Sequence, residues 1–186
     1  LAKGYIIERQ RDGKREKLGI IKLPGFYDKC SSHCRILLER FNKEKVDGVV
    51  LDLRHNGGGI LQEAVNLAGL FITRGPVVQI KDYRGRQRVM SDVDINVTYN
   101  GPLVVAVSHM SASASEIVAA AVQDHGRAVI VGSNGRIGGM LLKDGDAAWT
   151  STSGWPSDAP KDGPIYVCTR NDALEGIIAA TPEHRR

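Results

Sequence analysis

At two places in the chain, a short apolar run of β-favouring residues leads directly into a helical pattern. This arrangement constrains the fold more than any other feature. The first run covers 49–53 and precedes three glycines and a helical pattern over 61–71. The second covers 102–107 and precedes a serine-rich join and an alanine-rich segment that ends near Gly126. Strands that alternate with helices through short turns favour a mostly parallel sheet with helices packed on it. The sequence therefore predicts an α/β fold.

Other segments complete this pattern. Apolar or alternating residues predict further strands over 4–9, 18–23, 77–81, 128–132 and 165–168. Ser31 and Ser32 are typical caps for a helix that runs to about residue 45. The charged segment 86–96 predicts an exposed loop or a sheet edge.

The composition changes near Ser133, after which glycine, serine, aspartate and proline become frequent. A short helix is predicted over 174–180 within this part. We therefore expect a core over 1–132 and a divergent C-terminal segment over 133–186, whose order the sequence leaves open.

The serine-rich join contains Ser111, Ser113 and Ser115. A serine at the start of a helix meets free N–H groups and the positive end of the helix dipole. Such a serine is most often only a helix cap. It can also be a nucleophile, because the negative charge of an acyl-transfer intermediate is stabilised there. Local sequence alone favours the cap.

Three consecutive glycines, 57–59, form the other join. They allow a tight turn with N–H groups left free at a helix start, and no phosphate-loop or dinucleotide-binding spacing accompanies them.

The net charge of +4 comes without a nucleic-acid motif, so we interpret it as a solvated basic face. A membrane span needs about 20 apolar residues, and no apolar run approaches this length. The first residues do not have the pattern of a signal peptide.

Three cysteines, Cys30, Cys34 and Cys168, are too few for a disulfide framework. Cys30, His33 and Cys34 lie within one turn, but a zinc site normally takes four ligands and no second cluster is visible. We expect neither a metal nor a cofactor.

Long blocks of the sequence resemble the C-terminal processing, or tail-specific, serine peptidases, which have a crotonase-like (ClpP-like) fold. The motifs that carry the resemblance include DGVVLDLRHNGGG at 47–59 and SASASEIVAAAVQDHG at 111–126. The matching stretches are 17–27, 47–59, 63–72, 75–79, 91–92, 99–105 and 111–132. Their order and spacing make the resemblance specific over about residues 17–132.

The resemblance implies a serine-type endopeptidase that cleaves protein substrates near their C-terminal end. The family's nucleophile falls on Ser113, and its oxyanion hole falls on the amides of Gly59 and Ala114. Asp124 matches an acidic position near the site in the family. These enzymes use a serine–lysine dyad, in which a desolvated, neutral lysine accepts the proton of the serine.

The resemblance ends where the lysine should be. The family has a Gly-Lys-Gly block with a glutamine four residues beyond the lysine, and these two positions hold Gly138 and Leu142 here. Arg136 is a poor substitute because it stays protonated. Lys143 is the candidate base, provided that an insertion or rearrangement brings it to Ser113. Divergence, an inactivated copy and a shifted reading frame all fit this loss of likeness.

Three functions stay open at this stage. The first is an active peptidase that binds its protein or peptide substrate as an extended strand. The second is a catalytically impaired peptide-binding pseudopeptidase of the same fold. The third is acyl-thioester chemistry with His109, His125 or Lys143 as the acid–base group. The family resemblance also implies an extracytoplasmic location, periplasmic or membrane-associated, and no nucleic-acid partner is expected. Oligomeric state cannot be read from the sequence.

Overall fold

The structure, a computed structural model, describes residues 1–11, 13–81, 83–132 and 166–168. In chain order the strands and helices are β1 Lys3–Arg11, β2 Lys14–Lys22, α1 Cys30–Lys43, β3 Gly48–Asp52, α2 Leu61–Ala68, β4 Gly75–Lys81, β5 Gln87–Asp92, β6 Leu103–Val107, α3 Ala114–Asp124, β7 Val129–Gly132 and β8 Tyr166–Cys168. None of the helices in the described residues is both long and apolar enough to cross a membrane.

Six of the strands form one sheet in the order β1-β2-β3-β6-β7-β8. Only β1 and β2 pair antiparallel, and every other neighbouring pair in this sheet is parallel. The prediction of an α/β fold with strand–helix repeats and a mostly parallel sheet is confirmed. In such a sheet the carboxyl ends of β2, β3 and β6 lie at the same edge, so the loops that follow them meet there.

The apolar core lies between this sheet and the three helices. Leu51 of β3 and Val105 of β6 are fully buried, because a parallel strand under a helix layer has no solvent on that face. Helix α1 crosses β2 at Gly19, where an added β-carbon would lie 2.5 Å from Phe41 Cδ2. Helix α1 packs against α2, and α2 packs against α3.

Helix α1 begins differently from its prediction. Ser31 and Ser32 lie inside the first turn, and the N-cap is Lys29, whose own side chain makes no capping bond. The carboxylate of Glu63, on α2, instead accepts the Ser31 N–H at 2.8 Å. The prediction of a serine cap was wrong, because the cap comes from a residue of another helix.

Strand β5 decides between two predicted alternatives. It pairs antiparallel with β4 and makes a separate two-stranded sheet. The prediction for 86–96 was a loop or an edge, and the pairing resolves residues 87–92 as an edge strand. The short helix predicted over 174–180 and the boundary at 133 concern residues that lie outside the described part of the chain.

Candidate active site

The two joins that the sequence singled out lie against each other at the edge formed by the carboxyl ends of β3 and β6. A β-carbon added to Gly58 would lie 2.8 Å from Ser113 Cβ and 3.1 Å from the Ala114 amide nitrogen. Gly59 has φ +142°, and a β-carbon there would lie 2.2 Å from the carbonyl oxygen of Phe26. Glycine is therefore required for the turn to fit between Phe26 and the start of α3.

Ser113 caps α3 in a backbone conformation that non-glycine residues rarely adopt. Its φ is 56° and its ψ is −115°. A residue held this way stores strain on the order of 1–3 kcal/mol. Its N–H donates to the Glu116 carboxylate at 2.6 Å, which helps to hold the turn. Sharp, strained strand-to-helix turns are the geometry in which α/β-hydrolases expose a nucleophile.

The three serines of the join differ in their surroundings. Ser111 is 1% exposed and its hydroxyl donates to the Leu53 carbonyl at 2.7 Å. Ser115 is fully buried and its hydroxyl donates to the Asn56 carbonyl at 2.8 Å. Ser113 alone of the three is exposed to solvent. Two of the serines therefore fasten the joins together, and the third faces outward.

Two backbone donors lie next to Ser113 without acceptors. Within the described part of the chain, the N–H groups of Gly59 and Ala114 make no hydrogen bond. The Ala114 amide is also among the free N–H groups at the positive end of the α3 dipole. Unpaired amides beside an outward-facing hydroxyl can stabilise an oxyanion that forms on a carbonyl attacked by that hydroxyl.

Asn56 connects the loops of this site, and it was not singled out from the sequence. It is fully buried. Its side-chain amide donates to the Leu23 carbonyl at 3.0 Å, and its side-chain oxygen accepts the Gly58 N–H at 2.9 Å. Its carbonyl accepts from Ala112 N–H as well as from the Ser115 hydroxyl. The residue thus ties the loops after β2, β3 and β6 to one point.

Asp52 and Arg54 brace the end of β3. The guanidinium Nε and Nη2 donate to the two Asp52 oxygens, both at 2.8 Å. Burial pushes the pKa of Asp52 up, but the hydrogen bonds and charge of Arg54 outweigh it, so this pKa lies below its ordinary value. The Arg54 carbonyl accepts the hydroxyl of Ser108. The Asp52–Arg54 pair therefore joins the end of β3 to the turn after β6.

Two of the other predicted site residues, Asp124 and His125, lie at the opposite end of α3 from Ser113. Asp124 is the last residue of α3 and is exposed, so the length of the helix, about 16 Å, separates it from Ser113. His125 follows it, contacts the Pro76 carbonyl at 3.0 Å and lines an open cleft of about 200 Å³. His109 is exposed in the turn after β6. Lys143 lies outside the described residues.

The cysteine pair is buried in the core between α1 and α2. Burial, and then the neighbouring Glu63 carboxylate, raises the pKa of the Cys30 thiol to about 12, and burial raises the pKa of Cys34 to about 12. Both are free thiols. Over the described residues, no group of three or more histidine, cysteine or acidic side chains is placed to hold a metal ion.

Comparison with known proteins gives a consistent result. The model of peptidase family S41 matches residues 17–145. The chain is 47% identical over 119 residues to a tail-specific protease of Haemophilus influenzae, covering 64% of this chain and 17% of that protein. It is 31% identical over 153 residues to a chloroplastic C-terminal processing peptidase of Tetradesmus obliquus, covering 80% of this chain and 33% of that protein.

A solved structure agrees with these relatives. The photosystem II D1 C-terminal processing protease matches with a TM-score of 0.64 and 31% identity, over 71% of this chain and 36% of that one. The chain therefore spans only a third or less of the length of the two sequence relatives.

Proposed function

The chain belongs to peptidase family S41, and on that premise we propose that it is a serine endopeptidase domain that cleaves protein substrates near their C-terminal end. The names of its relatives, tail-specific protease and C-terminal processing peptidase, support this choice of substrate end. The observation that carries the proposal is the exposed, strained Ser113 beside the unpaired amides of Gly59 and Ala114.

The proposed reaction is acyl transfer in two steps. Ser113 Oγ attacks the scissile carbonyl and its proton passes to a base, while the Gly59 and Ala114 amides donate to the oxyanion. The tetrahedral intermediate collapses to an acyl-enzyme as the leaving amine takes up a proton. Water then attacks the acyl-enzyme and releases the new C-terminus.

Lys143 is the proposed base, because a neutral lysine can accept the serine proton and the aligned family position holds Gly138. The same substitution supports the second candidate, a peptide-binding pseudopeptidase. Loss of a general base lowers a rate by about 10²–10⁴-fold without removing a binding surface. In both proposals the substrate lies as an extended strand, and the location is extracytoplasmic by family resemblance.

Labelling with a fluorophosphonate tests the nucleophile. We expect one adduct, located on Ser113 by peptide mass spectrometry, in the wild type and in the matched control Ser32→Ala, which alters an exposed serine of α1. We expect none in Ser113→Ala. An adduct on another serine, or equal labelling of Ser113→Ala, would contradict the proposal.

Hydrolysis and binding separate the two candidates. The peptidase predicts cleavage of peptides with apolar C-termini, and a loss of at least about 10²-fold in Lys143→Ala. The pseudopeptidase predicts calorimetric binding of the same peptides with no cleavage and no effect of Lys143→Ala. Absence of both binding and cleavage in the folded protein would reject both.

A further inference from the structure

The hairpin made by β4 and β5, residues 75–92 and here called the arm, is open to solvent along its outer half. Every described residue from 79 to 89 is exposed. The base of the arm packs against α2 and α3, so the arm is fixed at one end and free at the other. Such a hairpin needs no solvent-exposed apolar residues for its own fold, yet it carries several.

The outer half of the arm is basic. It contains Lys81, Arg84, Arg86 and Arg88, with Asp82 as its one acidic residue. Over the described residues, neither Lys81 nor Arg88 forms a salt bridge. The arm therefore presents a concentrated positive charge at its outer end.

A second hairpin, β1–β2, is basic as well, but three of its basic side chains lie close to carboxylates. Arg9 lies 2.7 Å from Glu16, and Arg15 lies 3.5 Å from Glu8. Among the described residues Lys81 and Arg88 of the arm have no such carboxylate partner, so their charge stays available to an external partner.

Apolar side chains accompany the charge on the arm. Tyr83, beside the turn, is 87% exposed, and the Arg84 guanidinium lies 5.2 Å from the centre of its ring. Val89 is 51% exposed and Ile80 is 36% exposed. Because Ile80 faces Arg88 across the strands and Val89 faces Gln79, an apolar side chain lies on each face of the arm.

We propose that the arm docks the protein on an anionic lipid surface. Basic side chains are attracted to anionic headgroups, and tyrosine is enriched at membrane–water interfaces, where its ring is apolar and its hydroxyl stays hydrated. The arm carries basic side chains and an exposed tyrosine on one hairpin. Because exposed apolar side chains lie on both faces of the arm and beside its turn, a lipid surface that surrounds the arm matches it better than a protein that covers one face.

The expected strength of membrane binding follows from the number of basic side chains. Each lysine or arginine near an anionic surface contributes about fivefold to partitioning. Removing two of them is expected to weaken binding by about 30-fold, and binding is expected to weaken further with added salt because the attraction is screened.

Vesicle flotation tests the proposal. The full chain is mixed with vesicles of phosphatidylcholine alone, or of phosphatidylcholine and phosphatidylglycerol in equal amounts. We expect flotation only with the anionic vesicles. The double variant Lys81→Gln/Arg88→Gln is expected to bind these vesicles about 30-fold more weakly. The matched control is Arg15→Gln/Lys17→Gln on β1–β2, which removes the same charge from side chains that form salt bridges and is expected to bind as the wild type does.

A second pair of variants tests the aromatic contribution. Tyr83→Ser is expected to weaken flotation, whereas Tyr5→Ser, which alters the 45%-exposed tyrosine of β1, is expected to leave it unchanged. Equal losses in the two charge variants, or no flotation of the wild type, would overturn the proposal. The proposal would also be overturned if the protein bound no vesicle but bound poly-glutamate through Lys81 and Arg88. That result would identify an acidic protein as the partner.

Discussion

Replacing Asn56 with alanine is expected to loosen the site and destabilise the fold. The substitution leaves the Leu23 carbonyl without its donor at 3.0 Å and the Gly58 N–H without its acceptor at 2.9 Å. A buried polar group that loses its partner costs about 1–3 kcal/mol. Gly58 is only half-buried, so water can satisfy part of its loss. We therefore expect the free energy of unfolding to fall by about 2–4 kcal/mol.

Urea unfolding followed by circular dichroism measures this change, with the free energy taken from linear extrapolation. The matched control is Asn66→Ala on α2. Asn66 is exposed and accepts one hydrogen bond, from Gln62 at 2.9 Å. Its loss is expected to change the free energy of unfolding by no more than about 0.5 kcal/mol.

A third variant, Asn56→Asp, separates the two hydrogen bonds. An ionised aspartate keeps the acceptor for Gly58 N–H and loses the donor to the Leu23 carbonyl, and it also places a charge in a buried site. Stability should therefore recover as the pH falls and the carboxyl gains a proton that it can donate. An Asn56→Ala variant no less stable than Asn66→Ala, or an Asn56→Asp variant with no recovery in acid, would refute this role of Asn56.

Three further predictions concern the turn, the helix cap and the strained serine. Gly59→Ala should destabilise the protein by more than about 1 kcal/mol and stop fluorophosphonate labelling, because its β-carbon meets a backbone carbonyl. Gly57→Ala should change little, since nothing lies within 4 Å of its added β-carbon. Burial pushes the pKa of Glu63 up, but the hydrogen bonds from the start of α1 outweigh it and the pKa is lowered. Glu63→Gln should therefore lose stability above about pH 4.3, and the difference from wild type should shrink as the pH falls through the folded pKa. Urea unfolding at a series of pH values measures this, with Glu39→Gln, at an exposed position of α1, as the matched control. Ser113→Gly should raise the free energy of unfolding by about 1 kcal/mol because glycine tolerates positive φ, and it should abolish labelling; unchanged or lower stability would contradict the strain.

The order of strands and helices could be predicted because each element carries its own periodic pattern. The run 49–53 and the run 102–107 are apolar at nearly every position, as strands under a helix layer must be, and both are strands in the structure. Glycine at 57–59 and the serines near 113 marked the two turns where polar groups gather.

The contacts that depend on distant residues could not be predicted. Ser31 and Ser32 are good local caps, but the acceptor at the start of α1 is Glu63, which lies on another helix. Asn56 looks like an ordinary turn residue beside glycines, and its importance depends on Leu23 and Ala112, which the fold brings to it. An asparagine in the short join between a buried strand and three glycines was the one available signal.

Strand β5 was ambiguous for a related reason. Its residues are polar or charged at most positions, which is typical of loops, and only pairing with β4 makes it a strand. The family resemblance predicted Ser113, Gly59 and Ala114 as site residues from motifs. The strain at Ser113 and the unpaired amides beside it could be seen only in the backbone geometry of the structure.

The central proposal is that Ser113 and the amides of Gly59 and Ala114 act together on a carbonyl. A peptide boronate tests this most directly, because it forms a tetrahedral adduct with a serine oxygen and places a boronate oxygen where the oxyanion would be. In a ¹H–¹⁵N spectrum, we predict downfield shifts of the Gly59 and Ala114 amide protons on adduct formation, and none in Ser113→Ala. Shifts elsewhere, or an adduct that survives in Ser113→Ala, would contradict the proposed site.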